Sequence, residues 1–224
     1  MTPEPAIDVE AVKRFGRAGR LGRLGFAALV MSLIVLPAWA ADDTGGAWNA
    51  LVVGGHVALI RHGNAPGPSL GQGGDPPGFR LDDCRTQRNL DELGRAQGKA
   101  LGEAFRSRGV RVDRIESSPW CRCMDTALLM AVGPVARSGA LVPATDRNPN
   151  APTALRALKE LVATWRGPGT LVLVTHGLTV RAMTGIVPGQ AEIVVLKPSP
   201  GSGAGGEMVG RIAAPQQGCA TGLA

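Results

Sequence analysis

Two short phrases in this chain set a histidine between an apolar run and a glycine: Leu59-Ile60-Arg61-His62-Gly63 and Leu173-Val174-Thr175-His176-Gly177. The chain holds only three histidines, and two of them occupy these equivalent places. An apolar run that ends this way reads as a buried strand leaving its sheet. Open α/β folds put their chemistry at the carboxyl edge of such strands, so the two imidazoles are expected to meet there. A third phrase, Ser118-Pro119-Trp120-Cys121-Arg122, follows another short strand-like segment. Together the phrases offer two imidazoles and the guanidinium groups of Arg61 and Arg122. A guanidinium fork matches phosphate oxygens bidentately and stays charged at any working pH. A neutral imidazole is a competent nucleophile toward phosphorus once its tautomer is fixed. With Ser118 as cap and Pro119 in the first turn, a helix N-terminus would add backbone donors for an anion. The set reads as a phosphoryl-transfer site that needs neither a metal nor an organic cofactor. His56 lacks such a context and reads as structural.

The elements that would position these residues follow from hydrophobic periodicity and turn chemistry. The pattern predicts a strand over His56 to His62, then a long loop over 63–88 rich in Gly, Pro, Asp and Arg. Asn89 with Glu92 has capping-box spacing and predicts a helix through Arg108, stopped by Gly109. A strand over Asp113 to Ser117 leads into a helix from Ser118-Pro119 to about Met130. The stretch 131–151 reads as irregular, with a short strand near Ala140 to Val142. A helix is expected over Pro152 to Trp165, a fully buried strand over Thr170 to Thr175 and a short helix over Leu178 to Thr184. Two strands, Glu192 to Leu196 and Met208 to Ile212, flank a linker at 198–206. Residues 41–54 read as a polar lead-in. This alternation predicts an α/β fold: a three-layer α/β/α sandwich with a mostly parallel central sheet.

At 224 residues the chain fits one domain, with Gly 32 and Pro 17 signalling many loops. Tyr is absent and aromatics are 4%, which argues against a stacking platform for nucleic acid. Residues 1–40 read as an export signal: Lys13, Arg14, Arg17, Arg20 and Arg23 precede the mostly apolar run Leu24 to Leu36, and Ala38-Trp39-Ala40 supplies small residues for cleavage. The apolar run falls short of the ~20 residues of a membrane span, an uncleaved anchor being the alternative. Removing that segment, with its five basic and three acidic side chains, would leave a mild net +4, suited to a small anionic substrate. An exported, periplasmic protein is expected, with its domain over 55–212 and a disordered tail over 213–224. Four cysteines (Cys84, Cys121, Cys123, Cys219) permit two disulfides in three pairings. A Cys121-x-Cys123 metal site is the weaker reading, since no second ligand cluster accompanies it.

The order of the three phrases resembles the histidine phosphatase superfamily, the phosphoglycerate-mutase-like fold. The resemblance covers roughly residues 55–212. It rests on Arg61-His62-Gly63, on Ser118-Pro-x-x-Arg122-x-x-x-Thr126-Ala127, on the late Thr175-His176-Gly177 and on Asn89-Leu90-x-x-x-Gly94-Arg95-x-Gln97. It implies that His62 is a nucleophile forming a phosphohistidine, while Arg61, Arg122 and His176 hold the phosphoryl group. Thr126 would pack beneath. Asn64, Arg85 and Arg88 join Arg61 and Arg122 as candidate substrate contacts, and Arg80 belongs to the same arginine-rich loop. A carboxyl group must protonate the leaving oxygen. Some relatives place an Asp directly after the second His, but Gly177 stands here. Asp146 is the favoured acid, with Glu116 and Glu207 as alternatives. A bridge from Cys84 to Cys121 or to Cys123 is one reading of the loop. The segment 82–90 with 120–123 is similar to exported bacterial members, some of which act on phosphorylated envelope sugars. The expected protein is an exported phosphatase acting on a small phosphorylated substrate. A phosphomutase is less favoured in about 184 residues, and a weakly catalytic anion-binding envelope protein of the same fold is the rival from another class.

Overall fold

A computed structural model describes residues 44–67, 74–145 and 147–215. The expected export signal and the tail beyond residue 215 lie outside the described residues, as do Asp146 and Cys219.

The elements run in the order α1 (Thr44–Val53), β1 (Val57–Arg61), α2 (Glu92–Ser107), β2 (Val112–Ser117), α3 (Cys121–Met130), β3 (Val135–Arg137), α4 (Ala151–Thr164), β4 (Thr170–Thr175), α5 (Gly177–Thr184), β5 (Ile193–Pro198) and β6 (Gly206–Ile212). The strands form one sheet in the order β3-β2-β4-β1-β5-β6. β3, β2, β4 and β1 are mutually parallel, whereas β5 and β6 close one edge antiparallel.

Alternation along each strand sorts the core into two layers. Ala58, Ile60, Ile115, Val172, Val174, Ile193 and Val195 pack with Leu51, Leu101, Phe105, Ala127 and Met130 from α1, α2 and α3. Val57, Leu59, Leu171, Leu173, Val194 and Leu196 pack on the other face with Leu158, Val162, Val180 and Met183 from α4 and α5. β4 is buried at all six positions, as its unbroken apolar run requires. The three-layer sandwich expected from the sequence is therefore the observed architecture.

Several boundaries differ from the sequence expectation. Residues 44–53 form α1, which buries Ala47, Trp48, Ala50 and Leu51. The helix after the long loop is capped by Asp91, whose carboxylate accepts from the Gly94 amide at 2.8 Å, and not by Asn89. α3 begins at Cys121 because Ser118 is still in the sheet ladder, its amide donating to Val174 O at 2.9 Å. The third parallel strand is β3 at 135–137, while Gly139–Leu141 is a single 3-10 turn.

Two glycines let the chain after β1 lie directly on α2. A Cβ at Gly63 would sit 2.6 Å from Gly94 O, and one at Gly94 would collide with Asn64 O. Gly94→Ala should therefore displace the backbone that follows His62. The expected result is a thermal midpoint several degrees lower, together with a fall of about tenfold in the rate of any reaction that depends on the placement of His62. Differential scanning calorimetry and steady-state kinetics on the same preparation check both.

Candidate active site

The site is built by register. Arg61 on β1 stands opposite Thr175 on β4, so the next residues, His62 and His176, leave the sheet side by side. The His62 amide donates to Thr175 O at 2.9 Å, which holds the two chain ends together. Their rings stack edge to face, with centroids 5.5 Å apart and planes at 70°.

His62 is 3% exposed. Its Nδ1 lies 2.8 Å from Gly63 O, a partner that can only accept, so Nδ1 carries the proton and Nε2 keeps its lone pair. Burial, then the positive charge of Arg122, pushes its pKa down to about 3, against a weaker upward pull from the Gly63 carbonyl. His176 is pushed well below the usual histidine value, chiefly by burial and then by Arg122. Arg122 Nη2 approaches His176 Nδ1 at 3.4 Å, so Nε2–H of that ring donates to Ser118 Oγ at 2.8 Å. The free Cys123 thiol lies 3.6 Å from the same Nε2, and burial pushes its pKa up to about 12, leaving it inert.

Both histidine shifts have one sign, and stability should follow it. Above the unfolded-state value of 6.5 neither state holds the extra proton. As the pH falls below it, the unfolded chain takes up protons that the folded site refuses, so stability is lost progressively toward about 3. Urea melts of wild type and His62→Asn should diverge over this window, with the variant losing less stability on acidification.

Arginines surround the pair. Arg61 lies across the start of α5, where a Cβ at Gly177 would come within 3.2 Å of its Nε, and its Nη1 donates to Pro188 O at 2.8 Å. Arg122 enters from the first turn of α3 and is 4% exposed. Thr126, one turn on, donates to Arg122 O at 2.7 Å and accepts from the Gly63 amide at 3.0 Å, which ties α3 to the backbone next to His62. Arg88 is half-buried beside them, and burial, then Arg122, lowers its pKa. The Nε atoms of Arg61, Arg88 and Arg122 are all buried without an acceptor. Such donors are costly to leave unmade, and three around one imidazole would be completed by the oxygens of an anion.

The other candidates lie elsewhere. Arg85 pairs with Asp83 at 2.9 Å, its side chain 90% exposed, and Arg80 pairs with Asp82 in solvent. The Asn64 side chain donates to Asp91 at 2.6 Å and so buttresses the start of α2. Glu116 pairs with Arg114, two residues back on the same face of β2. Glu207 lies at the far end of the sheet from His62, since β6 runs antiparallel to β5 and accepts there from Ser199 at 3.1 Å. The donors expected at Ser118 belong instead to Cys121, whose amide goes to Gln87 Oε1 at 3.0 Å. Among the described residues, no group of three or more His, Cys, Asp or Glu is placed to hold a metal ion.

Sequence reasoning missed Asp75. Its carboxylate accepts from Arg122 Nη1 at 2.7 Å and Nη2 at 3.2 Å, and from Trp120 Nε1 at 2.9 Å. Burial pushes this carboxyl up, but hydrogen bonds from Arg122 and the Arg88 amide outweigh it and hold the group below its ordinary value.

A disulfide joins Cys84 to Cys121, fastening the arginine-rich loop to α3 one residue before Arg122. It closes a separation of 37 residues, for which chain entropy gives about 3–4 kcal/mol. Reduction should lower the thermal midpoint by on the order of 10 °C and weaken substrate binding, measured by thermal shift and KM with and without reductant.

The profile of the histidine phosphatase superfamily, branch 1, matches residues 57–137, a stretch that contains Arg61, His62 and Arg122. The sheet register adds His176 from beyond that stretch. Over that stretch the chain is similar to the histidine phosphatase superfamily. Solved structures similar to it include the protein histidine phosphatase SixA with tungstate (16% identity, 71% of this chain and 97% of that one, TM-score 0.47). Another is a SixA protein from Agrobacterium tumefaciens described as a phosphohistidine phosphatase (20%, 70% and 97%, TM-score 0.47). A mycobacterial glucosyl-3-phosphoglycerate phosphatase is a third (20%, 72% and 99%, TM-score 0.46). No curated protein matches the chain in sequence. The pocket holds a neutral imidazole beside cations that could meet an anion's oxygens.

Proposed function

We propose that the protein is a metal-independent phosphomonoesterase that works through a phosphohistidine on His62. The observation that carries this reading is the locked tautomer: Nδ1–H held by Gly63 O leaves Nε2 unprotonated within a ring of three arginines. In the first step Nε2 attacks phosphorus, the P–N bond forms, and the ester oxygen leaves. Arg61, Arg88 and Arg122 hold the phosphoryl oxygens as charge shifts onto them. In the second step water attacks phosphorus, the P–N bond breaks, and inorganic phosphate departs with the imidazole neutral again.

The acid for the leaving oxygen is assigned to Asp146 on sequence grounds. The segment leading to it runs beside His176: Thr175 Oγ1 donates to Leu141 O at 2.7 Å, Thr179 Oγ1 to Val142 O at 2.9 Å, and the Ala144 amide to Thr179 Oγ1 at 3.1 Å.

Export to the periplasm completes the proposal. It is supported by the basic, apolar and small-residue order of residues 1–40 and by the disulfide. Given export, envelope sugar phosphates are the first substrates to screen. Hydrolysis of para-nitrophenyl phosphate by residues 41–224 in the presence of EDTA tests the chemistry. Turnover that survives the chelator supports it. Bound phosphate without turnover of any monoester would favour an anion-binding protein instead.

A further inference from the structure

Asp75 takes no part in the steps above, yet its carboxylate accepts four donors inside the site. These are Arg122 Nη1 and Nη2, Trp120 Nε1 and, at 3.0 Å, the Arg88 amide. Its side chain is 6% exposed. The pairing fills the outer edge of the Arg122 guanidinium, whose Nη1 also reaches Arg88 O at 3.3 Å and whose Nη2 faces His176. What remains without an acceptor is Arg122 Nε, alongside Nε of Arg61 and of Arg88. These three cations act electrostatically on His62. Glu192, the other carboxylate near Arg61, is bound to Arg211 and to the Gly189 amide and so faces a cation of its own.

We propose that Asp75 sets how tightly the pocket holds a phosphoryl dianion: its carboxylate offsets one of three guanidinium charges and occupies the η edge of Arg122, leaving a net +2 site matched to a phosphomonoester. The proposal rests on the phosphatase reading for the identity of the anion. Inorganic phosphate, the product, carries nearly the charge of the substrate. A pocket without the carboxylate would bind both more tightly, and such uniform binding slows release without helping chemistry. The carboxylate therefore favours turnover over affinity, and it holds Arg122 with its Nε edge free for the substrate.

Calorimetric titration of inorganic phosphate into wild type, Asp75→Asn and Asp75→Glu tests this. Asn keeps the shape and one acceptor oxygen, for either the Trp120 Nε1–H or the Arg88 amide, but lacks the charge. Phosphate should bind Asp75→Asn about tenfold more tightly or better. kcat should fall as release slows while KM falls further, so that kcat/KM rises, and Asp75→Glu should restore wild-type behaviour. A residue that merely anchored Arg122 would give the opposite sign, so weaker or unchanged phosphate binding in Asp75→Asn overturns the proposal. A wild-type crystal soaked in vanadate decides it without a variant: the anion should sit on the Nε edges with Asp75 still paired to Arg122, and a displaced Asp75 overturns it. Tighter phosphate binding without hydrolysis of any monoester would end the phosphatase reading and leave this one standing.

Discussion

His62→Ala is expected to lower turnover of any phosphomonoester by about 10⁴-fold or more, the scale seen when a nucleophile is removed from a covalent mechanism. The ring is not a structural keystone. Its hydrogen bond goes to the adjacent Gly63 carbonyl, and its buried imidazole is a liability at acid pH. The variant should fold, keep its Cys84–Cys121 disulfide and bind phosphate through the three arginines. Stopped assays on the folded variant measure the loss. Residual activity within tenfold of wild type would mean that phosphorus is attacked by something other than Nε2.

Arg122→Lys is expected to lower kcat/KM by about 10²- to 10³-fold while keeping the charge. The argument is geometric. The guanidinium holds Asp75 through two nitrogens and faces His176 with one of them, and its Nε is left for the substrate. An ammonium is a point charge that cannot serve three directions in one plane. Arg122→Ala should behave differently, costing about 3–5 kcal/mol of stability because Asp75 would be left buried without its cation. Kinetics on the first variant and urea melts on the second separate the two roles.

The parts of this site that lay in contiguous phrases were legible in the sequence. An apolar strand ending in His-Gly has few other readings, and two such strands in a parallel sheet imply adjacent imidazoles. Arg122 was legible from its phrase, although the helix that carries it starts two residues later than a Ser118 cap suggested, because the ladder continues past β2. What no local pattern signals is a partner that arrives through a loop. Asp75 meets Arg122 across 47 residues from a Gly- and Pro-rich stretch that has no periodicity to read. The three loop arginines look alike in sequence, yet Arg88 turns inward while Arg80 and Arg85 pair with their own neighbouring aspartates. α1 was missed because its polar first residues mask a short buried face, Ala47, Trp48, Ala50 and Leu51, that only the sheet explains.

The central claim is that phosphorus is transferred to Nε2 of His62, and rapid chemical quench tests it most directly. Wild-type protein mixed with a labelled phosphomonoester and quenched in alkali should carry label on His62, stable to base and released by acid, formed and lost at rates that account for kcat. Hydrolysis at full rate with no label on His62, or with label on another residue, would contradict the account.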